Sequence, residues 1–153
     1  MKLVIGDAYT QMTLGQWLLD RLPHLEPVPN FRAIGIADGS GALVAVAGYY
    51  NYSERYRSIE MAFATETPKW ATRGAVHALL AYPFVQCGCA RATLIIPSRN
   101  KRARRFVERL GFVLEGKARQ AFLDDDAMIY GMLAAEAQRW LTRPGGRNER
   151  AAA

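Results

Sequence analysis

Eight of the chain's 20 basic residues fall between Arg99 and Arg119, against two acids there, Glu108 and Glu115, and the formal net charge is +6. The remainder balances, so the positive charge is one concentrated segment on a neutral body, which suits an anion site. A nucleic-acid backbone, a phosphorylated cofactor or an acidic partner would meet that chemistry; a solvated arginine-rich helix face is the alternative. Arg102, Arg105 and Arg109 share one flank of the helix expected there, and Lys101 and Arg104 the other. Glu60 stands in the middle of an apolar strand, where a carboxylate needs a task or a solvated, salt-bridged edge. Cys87 and Cys89 form a C-x-C pair with no histidine nearby, so no metal site is expected; they read as small hydrophobes at a helix–strand junction. His77 reads as packing or surface, and His24 lies in a proline-rich link. Asp124-Asp125-Asp126 reads as a tight turn, reception of a cationic substrate being its other use.

The elements that must position these groups follow from periodicity. The chain's 153 residues, 50% of them hydrophobic, suit one domain with a sizeable core, expected over residues 1–142. The composition excludes disordered, collagen-like and coiled-coil classes. No apolar run approaches the roughly 18 residues of a membrane span, and the N-terminus lacks a signal-peptide pattern. With too few cysteines for a disulfide framework, a reduced, cytoplasmic protein without membrane contact is expected.

A strand is predicted at Lys2–Ile5, then a helix from Tyr9 to Leu22 with Met12, Trp17, Leu18 and Leu22 inward. Pro23, Pro27 and Pro29 impose an irregular link. Strands follow at Arg32–Ala37, Ala42–Tyr50 and Ser58–Thr65, the last with Ile59, Met61 and Phe63 on one face and Glu60, Ala62 and Ala64 on the other. A helix from about Thr72 to Gln86, kinked by Pro83, precedes a strand at Ala90–Ile96. Asn100 caps a helix with Ala103, Phe106, Val107 and Leu110 on one stripe, which Gly111 ends. Strands from Phe112 and at Ala127–Leu133 close a mixed α/β (α+β) domain, mainly antiparallel in its first half and built of βα units in its second. The segment 143–153 reads as a frayed tail.

The stretch from Pro97 to Lys117, with Asn100, Ala103, Gly111-Phe112 and Glu115-Gly116, resembles the C-terminal half of the GNAT superfamily of N-acetyltransferases, whose pattern there is N-x-x-A/S, a helix, G-F and often E-G. It is most similar to the branch that includes the ribosomal-protein N-terminal acetyltransferases. The run from Arg119 through Asp124-Asp125-Asp126 to Leu133 matches that branch's closing strands. Ile59-Glu60-Met61 with Pro68-Lys69-Trp70-Ala71-Thr72-Arg73 resembles uncharacterised phage and prophage members.

The resemblance implies a mainly antiparallel sheet flanked by helices, with two central strands splayed around acetyl-CoA. It implies that backbone groups of Ala62, Phe63 and Ala64 pair with the pantetheine and polarise the thioester. The family's diphosphate pattern, Q/R-x-x-G-x-G/A, falls on Thr67 to Thr72, where Trp70 stands in place of a glycine. A shifted register brings in Ala71 and Gly74. The helix N-terminus, with Lys69, Thr72 and Arg73, can still meet a diphosphate there. Asn100 would touch the cofactor as well as cap its helix, beside Ala103 and Phe106, and Arg102 or Arg105 would take the 3′-phosphate.

Glu60 is the candidate base for the incoming amine. The family's tyrosine acid falls on Val107, with Tyr130 and Tyr82 as substitutes or core residues. A thiol pKa near ~8.5 lets the leaving group depart as thiolate without that acid. The function implied is acetyl-CoA-dependent acetylation of a primary amine on a small molecule or protein. The competing readings are a non-catalytic binding module of the same fold and nucleic-acid contact through the arginine helix, which lacks interleaved aromatics. The oligomeric state is left open by the sequence, the apolar last strand being one that could pair across a homodimer.

Overall fold

The computed structural model describes residues 1–142. The expected tail, 143–153, lies outside the described residues. Seven strands form one sheet in the order β1-β2-β3-β4-β5-β7-β6: β1 Lys2–Val4, β2 Arg32–Ala37, β3 Leu43–Ser53, β4 Ser58–Thr65, β5 Arg91–Pro97, β6 Val113–Ala118 and β7 Ala127–Leu133. Every neighbouring pair is antiparallel except β4 and β5. The helices are α1 Ala8–Arg21, α2 Arg73–Ala81, α3 Lys101–Leu110 and α4 Ala134–Leu141. The mixed, mainly antiparallel sheet flanked by helices is the architecture expected.

Strand alternation divides the molecule into two cores. Ile59 and Met61 point into the larger core with Ile34, Ile36, Leu79, Leu80 and Val107, while Ala62 and Ala64 point the other way, toward Leu14 and Leu18 of α1. Two glycines let α1 lie close to the sheet. A Cβ on Gly35 would stand 2.6 Å from Leu14, and one on Gly48 would stand 2.8 Å from Leu18. The inward face of α1 differs from the expectation: Met12 is 73% exposed, and Leu14 and Leu18 are the buried residues. The cause is Gln11. Its side-chain amide accepts the Ala33 N–H at 2.7 Å and donates to the Ala33 carbonyl at 3.0 Å, which turns the face Gln11–Leu14–Leu18 inward and Met12, one residue on, to the outside.

The helix expected through Gln86 is α2 followed by a π turn over Tyr82–Gln86. Pro83, with no N–H to give and a ring that crowds the preceding turn, accounts for that change of pitch. Helix α4 was not among the expected elements. Trp140 Nε1 donates to the Leu110 carbonyl at 2.7 Å, so α4 supplies a donor to the C-terminal carbonyls of α3, which the helix itself leaves unpaired. Strand β7 lies inside the sheet, between β5 and β6. It therefore has no free edge to pair across a dimer, contrary to expectation; the sheet's outer strands are β1 and β6.

Candidate active site

The parallel pair β4–β5 is registered only from Ser58 to Met61 against Arg91 to Leu94. Beyond that point Ala62–Thr65 keep only β3 as neighbour, and Ile95–Pro97 keep only β7. Two strand edges thus face each other across a gap, with backbone groups that have no ladder partner. The inner end of the gap encloses about 30 Å³ and is lined by His24, Ala62, Phe63, Ile95, Asn100 and Val107, among others. Outward it opens into a cleft of about 350 Å³ between the segment after β4 and the first turns of α3. Ala103 lines both spaces, as do Phe63 and Asn100.

Trp70 does not plug this opening. It lies in a 3₁₀ turn, Pro68–Trp70, whose cap is the Thr67 side chain accepting from the Lys69 N–H. At 1% exposure its indole is turned down into the core. There it packs on Phe63 and Phe106, with ring centroids 6.4 and 5.6 Å away, and those two rings meet edge-on at 5.6 Å. The three rings form the base of the cleft.

Asn100 caps α3 as expected, its side-chain oxygen accepting the Ala103 N–H at 3.1 Å. Asn100→Ala is expected to lower stability by about 1 kcal/mol, while Asn100→Asp keeps the cap; urea unfolding of the two variants measures the difference.

The basic residues divide by what they touch. Arg102 and Arg109 line the cleft, and Arg105 does not. Arg104 donates to the Tyr130 hydroxyl and the Ser98 carbonyl, each at 3.1 Å. Arg99 donates to the Asp124 carbonyl at 2.9 Å. Arg21, not singled out in the sequence, also lines the cleft, stacks 3.6 Å over the Trp17 ring and pairs with Glu66 on the segment after β4.

Among the diphosphate candidates, Thr72 caps α2, its Oγ1 accepting the Ala75 N–H at 3.2 Å, and Gly74 faces open space. Ala71 packs against the larger core, and Lys69 is exposed. Arg73 is committed elsewhere, since its guanidinium donates to the Arg139 and Thr142 carbonyls at the end of α4.

Glu60 precedes the gap by two residues on the α1 side of β4. It accepts from the Asn51 side chain at 3.2 Å and is absent from the lining of the cleft. Beside it, burial together with the Glu60 charge pushes the Tyr50 phenol up to about 12. Tyr130 is fully buried and donates to the Glu108 carboxylate at 2.8 Å, which places it among core residues. Asp124–Asp126 form a bonded turn: Asp125 accepts from the Ser98 hydroxyl and the Arg99 N–H, and Asp126 from the Gln120 N–H. Both cysteines are free thiols, and no group of metal-ligating side chains occurs among the described residues. No described helix is long and apolar enough to cross a membrane.

His24 is a second site residue, with Arg21, that sequence reasoning passed over. Its only sequence signal was the preceding proline. The Leu25 N–H donates to the Leu22 carbonyl at 2.9 Å, closing a turn with Pro23 and His24 at its corners, and Pro23 presets the first corner. The ring meets Phe122, from the β6–β7 loop, edge-on at 5.2 Å.

Among solved structures, the chain is similar to a mutant form of the spermidine/spermine N-acetyltransferase SpeG from Vibrio cholerae. That match has a TM-score of 0.72 at 16% identity and covers 90% of this chain and 97% of that one. It is also similar to the spermidine N-acetyltransferase from Vibrio cholerae in complex with CoA and spermine, with a TM-score of 0.70, 16% identity, and coverage of 90% and 97%. The fold is that of the GNAT acetyltransferases. No protein-family model matches the sequence, and no curated protein matches it. The likeness is therefore carried by the backbone: a GNAT sheet, broken between its central strands.

Proposed function

We propose that the chain is an acetyl-CoA-dependent N-acetyltransferase acting on a primary amine. The observation that carries this is the loss of pairing between β4 and β5 after Met61 and Leu94, where unpartnered strand backbone adjoins a cleft bordered by Arg102 and Arg109. The donor set fits the co-substrate. The backbone of Ala62, Phe63 and Ala64 offers unpaired polar groups to an extended amide chain. Asn100, Ala103 and Phe106 border its path, with Trp70 beneath. Arg102 and Arg109 offer guanidinium forks to phosphate, with Arg105 beside them and Lys69, Ala71, Thr72 and Gly74 at the start of α2. Arg73 is left out of this set because α4 holds it.

Bound acetyl-CoA supplies a thioester whose acetyl carbon takes the amine's lone pair, the C–S bond breaking as CoA leaves as thiolate. The protein's own part is to hold that thioester beside the inner gap and to exclude water from an apolar channel. The narrowness of the gap favours a slender amine. The SpeG neighbours are spermidine/spermine N-acetyltransferases. Of the aspartates near Phe122, Asp125 and Asp126 accept from Ser98, Arg99 and Gln120. That leaves Asp124, 81% exposed and 3.9 Å from Arg99, as the carboxylate open to a polyamine's distal charge on that turn. The Asn100–Gly116 run supports kinship with the ribosomal-protein branch and its protein N-terminal amines, and the two free thiols suit a reducing, cytoplasmic setting.

Isothermal titration with acetyl-CoA tests the reading. Saturable binding that weakens with added salt is the expected result, and no binding at millimolar acetyl-CoA would leave a fold without this chemistry.

A further inference from the structure

The geometry points to His24 as the group that takes the proton from the incoming amine, a role that rests on the acetyltransferase reading above. The imidazole lines the inner end of the gap with Ala62, Phe63 and Ile95. That is where an acceptor approaching the exposed backbone of β4 must pass. Glu60, the carboxylate expected in this role from sequence, stands outside that space and is bound to Asn51. The Leu22–Leu25 turn fixes the ring in place from one side, and Phe122 does so from the other.

The ring's surroundings suit a base. Leu22, Ala62, Phe63, Leu94, Ile96, Ala103 and Val107 present apolar surface to it from the end of α1, β4, β5 and α3, and Asn100 is the one polar side chain of that lining. Phe122 presents a ring edge from the β6–β7 loop. Among the described residues, no ionisable side chain lines the gap apart from His24 itself. Burial holds the imidazole below its ordinary range, and the nearby Ile95 backbone opposes this in part. The ring is therefore neutral at pH 7 and free to accept.

The step is a proton transfer. An N–H bond of the alkylammonium breaks, its electron pair stays on nitrogen as the nucleophilic lone pair, and the proton forms an N–H bond on the imidazole. It then leaves to solvent past Phe122. The amine's second proton, lost as the amide forms, ends on the departing thiolate.

His24→Gln and His24→Ala test this, with acetyl-CoA and two amine probes as acceptors: butylamine, which is slender and carries one charge, and spermidine. The expected result is a fall of about 100-fold or more in kcat/KM, with the calorimetric affinity for acetyl-CoA unchanged. Part of the rate should return to His24→Ala on adding imidazole. In the wild type, kcat/KM falls as pH drops, because protonation removes the base. The midpoint should match the His24 ring titration followed by NMR in the free protein, below 6.5, with His77→Gln assigning the second histidine. Both variants should lose that acidic limb.

Variants within about threefold of wild type, or an acidic limb that persists in them, overturn the assignment and leave the acetyltransferase reading standing. So does a wild type that binds acetyl-CoA but releases no CoA to either acceptor. Failure of the wild type to bind acetyl-CoA overturns both.

Discussion

Trp70→Ala is expected to destabilise the protein by about 3–5 kcal/mol, the range for deleting a fully buried large aromatic. The indole is 1% exposed, and it is the shared contact of Phe63 and Phe106, which line the cleft from β4 and α3. Its loss opens a cavity beneath the cleft that a sheet strand on one side and a capped helix on the other cannot collapse to fill. Chemical denaturation, compared at equal m-value, measures the effect. Trp70→Gly, which puts a glycine where one register of the resemblance to the GNAT diphosphate pattern would have it, should be at least as damaging and should not improve acetyl-CoA affinity. A variant as stable as wild type would show that the aromatic base is dispensable.

Ala103→Trp should abolish acetyl-CoA binding at the concentrations that saturate the wild type, a loss of at least about 100-fold, or about 2.7 kcal/mol. Ala103 lines both the outer cleft and the inner gap, so a large side chain there closes the passage between them. The residue sits in the first turn of α3 and is only partly buried. Tryptophan can project into the cleft without breaking the helix or its Asn100 cap. Calorimetry measures the affinity, and thermal unfolding checks that the fold is kept. Undiminished binding would place the co-substrate elsewhere.

Much of this arrangement was legible in the residues. The alternation of Ser58–Thr65 defined β4 and its two faces, because a period of two admits one assignment when one face is bulky and the other small. The Asn100 cap, the stripe through Leu110 and the Gly111 stop defined α3, since cap, periodicity and terminator agree. Other features depend on contacts distant in sequence. Met12 and Leu14 are equally apolar, and only the bonds of Gln11 to Ala33 decide which turns inward. Arg73 is as basic as Arg102, but the end of α4 takes it out of the cleft. That helix itself was hidden by its brevity and by a nearly uniform alanine content at its start. His24 belonged to a link that carried no periodic signal, so nothing local showed that the link folds back over the gap.

The break between β4 and β5 has a consequence for what the protein can admit. An unpaired strand edge ordinarily invites another chain to add to it, which is a route to aggregation. Here the two bare edges lie in the interior of the sheet, with α1 and α3 over them and an inner space of about 30 Å³. A polypeptide strand carries side chains above and below its plane and is too thick to enter. A slim amide-bearing arm has no such bulk. Interior placement of this kind denies the bare backbone to misfolded neighbours, a protection that a strand on the sheet's outer edge would lack.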